Sequence, residues 1–295
     1  MRKARFAAAL ATTTLLLAVP NVGHATPGAA THVDSVSATA GSSTIAVSGT
    51  ATFVDVPVTV GEDGSGDAAV PGIGADLTTA KIERPVGTNQ LKFTLGIADQ
   101  PPAAFGVPNI VYNWGVSADG EDLGLTLGAS RIWGGTAPSP NPTFKLLSLA
   151  GGNFSEVANL SGVMAGGIVQ WTASLSQVKA VNGGILSVGA QGIEATAGVG
   201  GTVFFNGGLG GDTGFAEDYT VPFASVKLGI ASAGTPESEV PLTVTLSAAT
   251  NPNPTTGAFS GALPKPPAGS GAHIVVAQAC YSPTVCGTAS ATITV

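Results

Sequence analysis

Acidic side chains between positions 62 and 76 are the clearest candidates for binding chemistry. Glu62, Asp63, Asp67 and Asp76 crowd one glycine-rich loop, which includes the run Glu-Asp-Gly-Ser-Gly-Asp. Calcium takes about six to eight oxygen ligands from carboxylates, carbonyls and water, so it is the one ion that the loop suits. The spacing is not that of an EF-hand, and Asp and Gly are also ordinary turn residues. Asp63, Asp67 and Asp76 are therefore candidate calcium ligands, with a plain turn as the alternative, and no other cofactor is expected.

An aromatic residue beside a cation is the second candidate. Trp133 follows Arg131 at the mouth of the Gly- and Pro-rich loop Arg131–Pro142. An exposed indole stacks on a sugar face while a guanidinium donates hydrogen bonds, so Trp133 and Arg131 are candidate ligand-binding residues. Packing of Trp133 in the loop or the core is the alternative. Trp171 is two residues after Val169, so the two side chains lie on the same face of a strand, and Trp171 is expected in the core.

Groups for enzymatic chemistry are few. Beyond the first 25 residues the chain has two histidines, His32 and His273, and no Gly-x-Ser-x-Gly turn that would present a nucleophile. The carboxylates of Asp119, Glu121 and Asp122 cluster on an expected hairpin turn, where water screens them. His and Cys are not grouped at zinc-ligand spacing. The sequence predicts a protein without catalytic residues of its own.

The N-terminal residues 1–25 have the order of features of a secretory signal peptide. Arg2, Lys3 and Arg5 precede the apolar run Phe6–Val19, and small residues stand at positions 23 and 25. The apolar run is shorter than the roughly 20 residues that span a bilayer. We therefore expect cleavage before Thr26, a secreted, extracellular protein, and no membrane insertion after cleavage.

Charge excludes one class of partner. The chain has 11 basic and 18 acidic residues, a net charge of −7. Loss of the three basic leader residues leaves eight basic against eighteen acidic residues, a net charge of −10. An acidic chain with scattered basic residues lacks the clustered positive charge that binds nucleic acid.

Cysteine usage agrees with export. Cys280 and Cys286 are the only cysteines, and a turn-forming Ser282-Pro283 lies between them. Two cysteines this close in an exported chain predict one disulfide.

The pattern of apolar residues predicts an all-β fold. Leu91, Phe93, Leu95 and Ile97 alternate with polar or small residues, as in a half-buried strand. A second alternating run ends at Asp119-Gly120, a favoured hairpin turn. The 42 glycines and 20 prolines are typical of turns between short strands. We expect two antiparallel β-sandwich domains, a larger one over 33–216 and a smaller one over 217–295.

The C-terminal region resembles a known kind of domain. Gly257-Ala258-Phe259-Ser260-Gly261, then His273-Ile274-Val275-Val276 and a final alternating strand, is similar to the closing strands of bacterial immunoglobulin-like repeats. The resemblance implies an immunoglobulin-like sandwich.

The N-terminal region is similar to secreted sandwich modules of the DOMON and carbohydrate-binding type over roughly residues 50–200. The similar segments are Gly74–Thr78, Leu91–Leu95, Val169–Ala173 and Gly184–Leu186. This resemblance implies a secreted, non-catalytic binding or adhesion protein that recognises an extracellular or cell-wall polysaccharide. The alternative is a structural or protein-interaction protein of the cell envelope without a small-ligand site.

Overall fold

The structure is a computed structural model. The model describes residues 30–55, 57–62, 65, 77–98, 109–118, 121–128, 143–148, 155–165, 167–195, 212–214, 218–282 and 285–295. These residues form strands, turns and a 3₁₀ turn at Glu237–Glu239, with no α-helix among them, so the all-β prediction is confirmed. No helix in the described part of the chain is long and apolar enough to cross a membrane.

The described strands follow one another in a chain of short elements. They are β1 (His32–Ala40), β2 (Thr44–Thr52), β3 (Val58–Glu62), β4 (Leu77–Glu83), β5 (Gln90–Ile97), β6 (Asn109–Ala118), β7 (Glu121–Gly128), β8 (Thr143–Ser148), β9 (Ser155–Asn159), β10 (Ser161–Ala165), β11 (Ile168–Ser174), β12 (Ile185–Ala195), β13 (Asp212–Gly214), β14 (Tyr219–Thr220), β15 (Ser225–Ser232), β16 (Leu242–Leu246), β17 (Ala258–Pro264), β18 (Ala272–Ser282) and β19 (Val285–Thr294).

The chain divides into two compact units, and the second is inserted into the first. Unit 1 combines the described residues up to Val54 with Phe223–Val295, and unit 2 is Asp55–Pro222. The chain therefore leaves unit 1 after β2, builds unit 2 with β3 to β14, and returns to unit 1 at β15.

Unit 1 contains two antiparallel sheets, in the strand orders β1-β2-β17 and β16-β15-β18-β19. The buried face of the first sheet carries Ile45 and Val47, and that of the second carries Leu228 and Val275. Alternation places these apolar side chains on one face of each strand. Gly261 on β17 lies so close to the second sheet that an added Cβ would be 2.8 Å from Leu228 Cδ1, so the two buried faces pack against each other.

Unit 2 is built from a five-stranded sheet, β10-β11-β5-β4-β3, and a second sheet whose main path is β13-β12-β6-β7-β8-β9. Its core is apolar and includes side chains from both sheets, such as Leu91, Phe93, Leu146 and Leu186. Trp171 on β11 is fully buried, as expected from its parity, and meets Phe144 on β8 edge to face at a centroid distance of 5.9 Å. This contact joins the two sheets of unit 2.

Strands β1 and β2 belong to a different unit from the one that their sequence position suggests. The larger domain was expected over 33–216 and so to include residues 33–54, but β2 pairs with β17 from Thr44↔Pro264 to Thr50↔Ala258. Alternation in a strand specifies which face is buried but not which strand is its neighbour. The partner of β2 lies more than 200 residues away, beyond the reach of a local pattern.

The two ends of unit 2 are held at the turn between β4 and β5. Arg84, 8% exposed, donates from Nη1 to Asn182 Oδ1 at 2.7 Å and to the carbonyl of Pro222, the last residue of the unit. Asp55, the first residue, accepts a hydrogen bond from Val86 N through Oδ1. This arrangement fixes the entry and exit of unit 2 next to each other.

Candidate functional site

The residues that the sequence analysis selected for ligand and metal binding lie outside the described residues. They are Trp133 and Arg131 in the loop between β7 and β8, and Asp63, Asp67 and Asp76 in the loop between β3 and β4. Glu62, the described end of the acidic loop, is exposed. In the described part of the chain, no three His, Cys, Asp or Glu side chains are grouped to hold a metal ion.

The predicted disulfide is confirmed. Cys280 and Cys286 are directly opposite each other in the β18–β19 ladder, with Cα atoms 4.2 Å apart and a sulfur–sulfur bond of 2.08 Å. The bond closes the hairpin near its turn and leaves no free cysteine in the described residues.

The five-stranded sheet of unit 2 presents a polar surface on the side away from the core. Inward side chains of β4, β5 and β11 include Ile82, Phe93 and Val169, all fully buried. The residues between them point the other way because side chains alternate along a strand. We call this set the polar face: Lys81 and Glu83 on β4, Lys92 and Thr94 on β5, and Gln170 and Thr172 on β11.

Strand register arranges the polar face as two parallel rows. Lys81 is opposite Thr94, and Thr94 is opposite Gln170, so these three residues form one row across three strands. Glu83, Lys92 and Thr172 form the adjacent row in the same way. With strands about 4.8 Å apart, each row spans roughly 10 Å. The rows give a grid of six polar side chains on a hydrogen-bonded backbone.

Side-chain hydrogen bonds fix part of this grid. Gln170 Nε2 donates to Thr94 Oγ1 at 2.9 Å, and Lys92 Nζ lies 3.4 Å from Glu83 Oε1. Lys81 is exposed and takes part in none of the ion pairs seen among the described residues. The face therefore offers amide, hydroxyl, ammonium and carboxylate groups at fixed positions, with donors and acceptors interspersed.

One border of the polar face is apolar. Val163 on β10 is opposite Gln170 and is 52% exposed, and Ile168 on β11 is 37% exposed. Both residues lie on the outer side of the sheet, as their parity with Gln170 requires. The surface thus changes from charged groups on β4 and β5 to aliphatic groups on β10 and β11.

The sequence analysis identified β5 and β11 but not the polar face. The alternation around Phe93 separated Lys92 and Thr94 from the apolar side of β5, and the parity of Trp171 with Val169 placed Trp171 in the core. Their combination into rows depends on the pairing of β5 with β11, whose residues are about 76 positions apart. Register across such a distance has no local signal.

The two described histidines, His32 and His273, each make a polar contact, and in the described residues neither contact completes a nucleophile–base–acid relay. Ser270 Oγ lies 2.8 Å from Nε2 of the buried His273, a nucleophile–base distance, but no described carboxylate contacts that ring. His32 Nε2 contacts Asp34 at 2.9 Å, yet the nearby hydroxyl of Thr52 donates to the Asp34 carboxylate rather than to the ring. A Ser–His–Asp mechanism needs the hydroxyl and the carboxylate on opposite sides of the imidazole.

Comparisons with protein-family models, with curated proteins and with solved structures gave no match for this chain.

Proposed function

We propose that this chain is a secreted, non-catalytic binding or adhesion protein, and that unit 2 engages an extracellular or cell-wall polysaccharide through the polar face. In this proposal unit 1 is an immunoglobulin-like sandwich that carries the inserted unit. Fold alone does not imply function, so the proposal depends on the chemistry of the surface.

The row Lys81–Thr94–Gln170 is the observation that carries the proposal. Polysaccharide hydroxyls donate and accept hydrogen bonds, and this row alternates ammonium, hydroxyl and amide groups along about 10 Å. Because the strands beneath are paired on both sides, little ordering entropy is lost when a ligand binds. A flat array of this kind suits an extended polymer better than a small molecule, which binds in a concave pocket.

The loop between β7 and β8 supplies the aromatic contact in this proposal. Trp133 would stack on a sugar ring and Arg131 would donate hydrogen bonds. The resemblance of residues 50–200 to secreted carbohydrate-binding sandwiches supports the same class of ligand. Calcium held by Asp63, Asp67 and Asp76, which follow β3 in the sequence, is a further part of the proposal.

Export and net charge support the same setting. Residues 1–25 have the features of a cleaved leader, and the remaining chain is strongly acidic. We therefore place the protein outside the cell, without insertion into a membrane and without a nucleic-acid partner.

A binding screen tests the proposal. The secreted chain is applied to neutral, acidic and amino-sugar polysaccharides, and binding is followed by co-sedimentation and by affinity electrophoresis. We expect at least one class to retard or sediment the protein. If none of the three classes does so, the polysaccharide proposal is wrong.

A structural or protein-interaction protein of the cell envelope is the second candidate. The observation in its favour is that no described strand pairs with the outer edge of β10, because such an edge is a template for pairing with another chain.

A further inference from the structure

Strands β9 and β10 form a continuous edge along unit 2. The segment Ser155–Ala165 starts as the edge strand beside β8 in one sheet and continues as the edge strand beside β11 in the other. Leu160, between the two strands, is anchored because its N–H donates to the carbonyl of Phe144 at 2.8 Å. Within the described residues, no strand pairs with the other side of β9 or β10.

Within the described residues, β10 lacks the usual features that prevent an edge strand from pairing with another chain. Natural edge strands are protected by lysines, prolines, bulges or a covering segment. Ser155–Ala165 contains no Lys, Arg or Pro, and its one charged residue, Glu156, is paired with Lys145. The register of β9 with β8 is interrupted at Val157, whereas the register between β10 and β11 is regular over all five pairs, so β10 is the part of the edge without a bulge.

Exposed aliphatic side chains are concentrated at this edge. Val157 is 54% exposed and Val163 is 52% exposed, and Ile168 on the next strand adds a third. Exposed apolar side chains that lie together on the surface of a protein often mark a site of interaction with another molecule. The exposed backbone of β10 and the exposed side chain of Val163 therefore favour the same kind of partner, an uncharged β-strand.

We propose that β10 pairs with β10 of a second copy of this chain, antiparallel and across a two-fold axis. Centred on Val163, this pairing places Val163 against Val163 of the second copy and Ser161 against Ala165 of the second copy. Each opposed pair is small or aliphatic, and no like charges meet, so the edge is complementary to itself as a two-fold interface requires. The rest of the chain is strongly acidic, so an uncharged edge is where two copies approach with least repulsion.

Dimerisation through β10 would join two five-stranded sheets into one ten-stranded sheet. A two-fold axis perpendicular to the sheet keeps both outer sides facing the same way, so the two polar faces would lie on one surface. When two linked protein sites bind the same polymer chain, the overall affinity is higher than that of one site, without any new contact in either site. The pairing itself does not depend on the polysaccharide proposal.

Sedimentation velocity and multi-angle light scattering on the full secreted chain test the pairing. The wild type should show a dimer that dissociates on dilution. Val163→Lys should have half the wild-type mass at the same concentration, and so should Ala165→Lys, two residues along the same edge. Val181→Lys, which adds the same charge at a 58% exposed loop position, should remain dimeric.

Two results would overturn the pairing. One is a wild type that is monomeric over the whole concentration range. The other is a dimer that persists in both Val163→Lys and Ala165→Lys while tryptophan fluorescence shows that unit 2 is folded. Because mass is measured without ligand, these outcomes are separate from those of the polysaccharide screen.

Discussion

Gln170 and Thr94 are joined across β11 and β5 by a hydrogen bond from Nε2 to Oγ1 of 2.9 Å. The bond uses one of the two amide protons and one lone pair of the hydroxyl. The amide oxygen, the second amide proton and the threonine proton are not used by this bond. The side chains are thus held in place by each other while most of their hydrogen-bonding capacity still faces outward.

Cleavage of the leader is the first prediction. Intact-mass measurement of the secreted protein should show a chain that begins at Thr26, because small residues precede this position at 23 and 25. A mass that includes residues 1–25 would contradict the expected export.

Arg84 should be essential to the stability of unit 2. Arg84→Met leaves Asn182 Oδ1 and the Pro222 carbonyl without their buried donor, which should lower the free energy of unfolding by about 2–3 kcal/mol. The three tryptophans, at positions 114, 133 and 171, all fall within Asp55–Pro222, so urea unfolding followed by tryptophan fluorescence reports on unit 2 alone.

Lys81→Met is the matched control for Arg84→Met. Lys81 lies three residues before Arg84, on β4, and its substitution loses the same charge, but its side chain is exposed, so the effect should stay within about 0.5 kcal/mol. Equal effects of the two substitutions would show that the hydrogen bonds of Arg84 do not stabilise the unit.

The disulfide should stabilise unit 1 without being needed for its fold. Cys280→Ser with Cys286→Ser removes the closure of a short loop, worth about 2 kcal/mol in the chain-entropy model. The β18–β19 ladder continues from Cys280↔Cys286 to Ala272↔Thr294 and should persist. Differential scanning calorimetry should show a lower melting temperature for unit 1, while the circular dichroism spectrum at low temperature keeps its β character. An unchanged melting temperature would argue against this contribution.

Calcium binding to the loop after β3 is testable by mass action. If Asp63, Asp67 and Asp76 converge on one ion, saturating calcium should raise the melting temperature of unit 2. Asp67→Ala should lose the shift, whereas Glu239→Ala, an exposed acidic residue of unit 1, should keep it. With no shift in the wild type, the loop is a plain turn.

Local patterns were sufficient for strands that show regular alternation beside a clear turn. The alternation of Leu91, Phe93 and Leu95 predicted β5, and the spacing around Asp119-Gly120 predicted the hairpin of β6 and β7, which pair up to Ala118↔Glu121. The closing hairpin that holds Cys280 and Cys286 was predicted in the same way. In each case the prediction used the alternation of apolar residues and the turn residues within about ten positions of the sequence.

Features that depend on distant pairing were not predictable. Strands β9 and β10 were not identified, because their residues lie at an edge, mostly exposed, and show little alternation of apolar and polar types. The pairing of β2 with β17 and the rows of the polar face both join residues far apart in sequence. A single sequence shows which residues of a strand share a face, but it does not show the order of the strands in a sheet.

Binding by a variant of the polar face is the most direct test of the central claim. In the presence of a polysaccharide that binds the wild type, Thr94→Val with Gln170→Met should abolish retardation in affinity electrophoresis, because both side chains keep their size and lose their polar groups. Gln278→Met with Thr288→Val, the corresponding Gln–Thr cross-strand pair of unit 1, should bind like the wild type. Tryptophan fluorescence should show the same unfolding transition for the polar-face variant and the wild type. Wild-type retardation of a folded Thr94→Val, Gln170→Met protein would contradict the proposal that the polar face binds the polysaccharide.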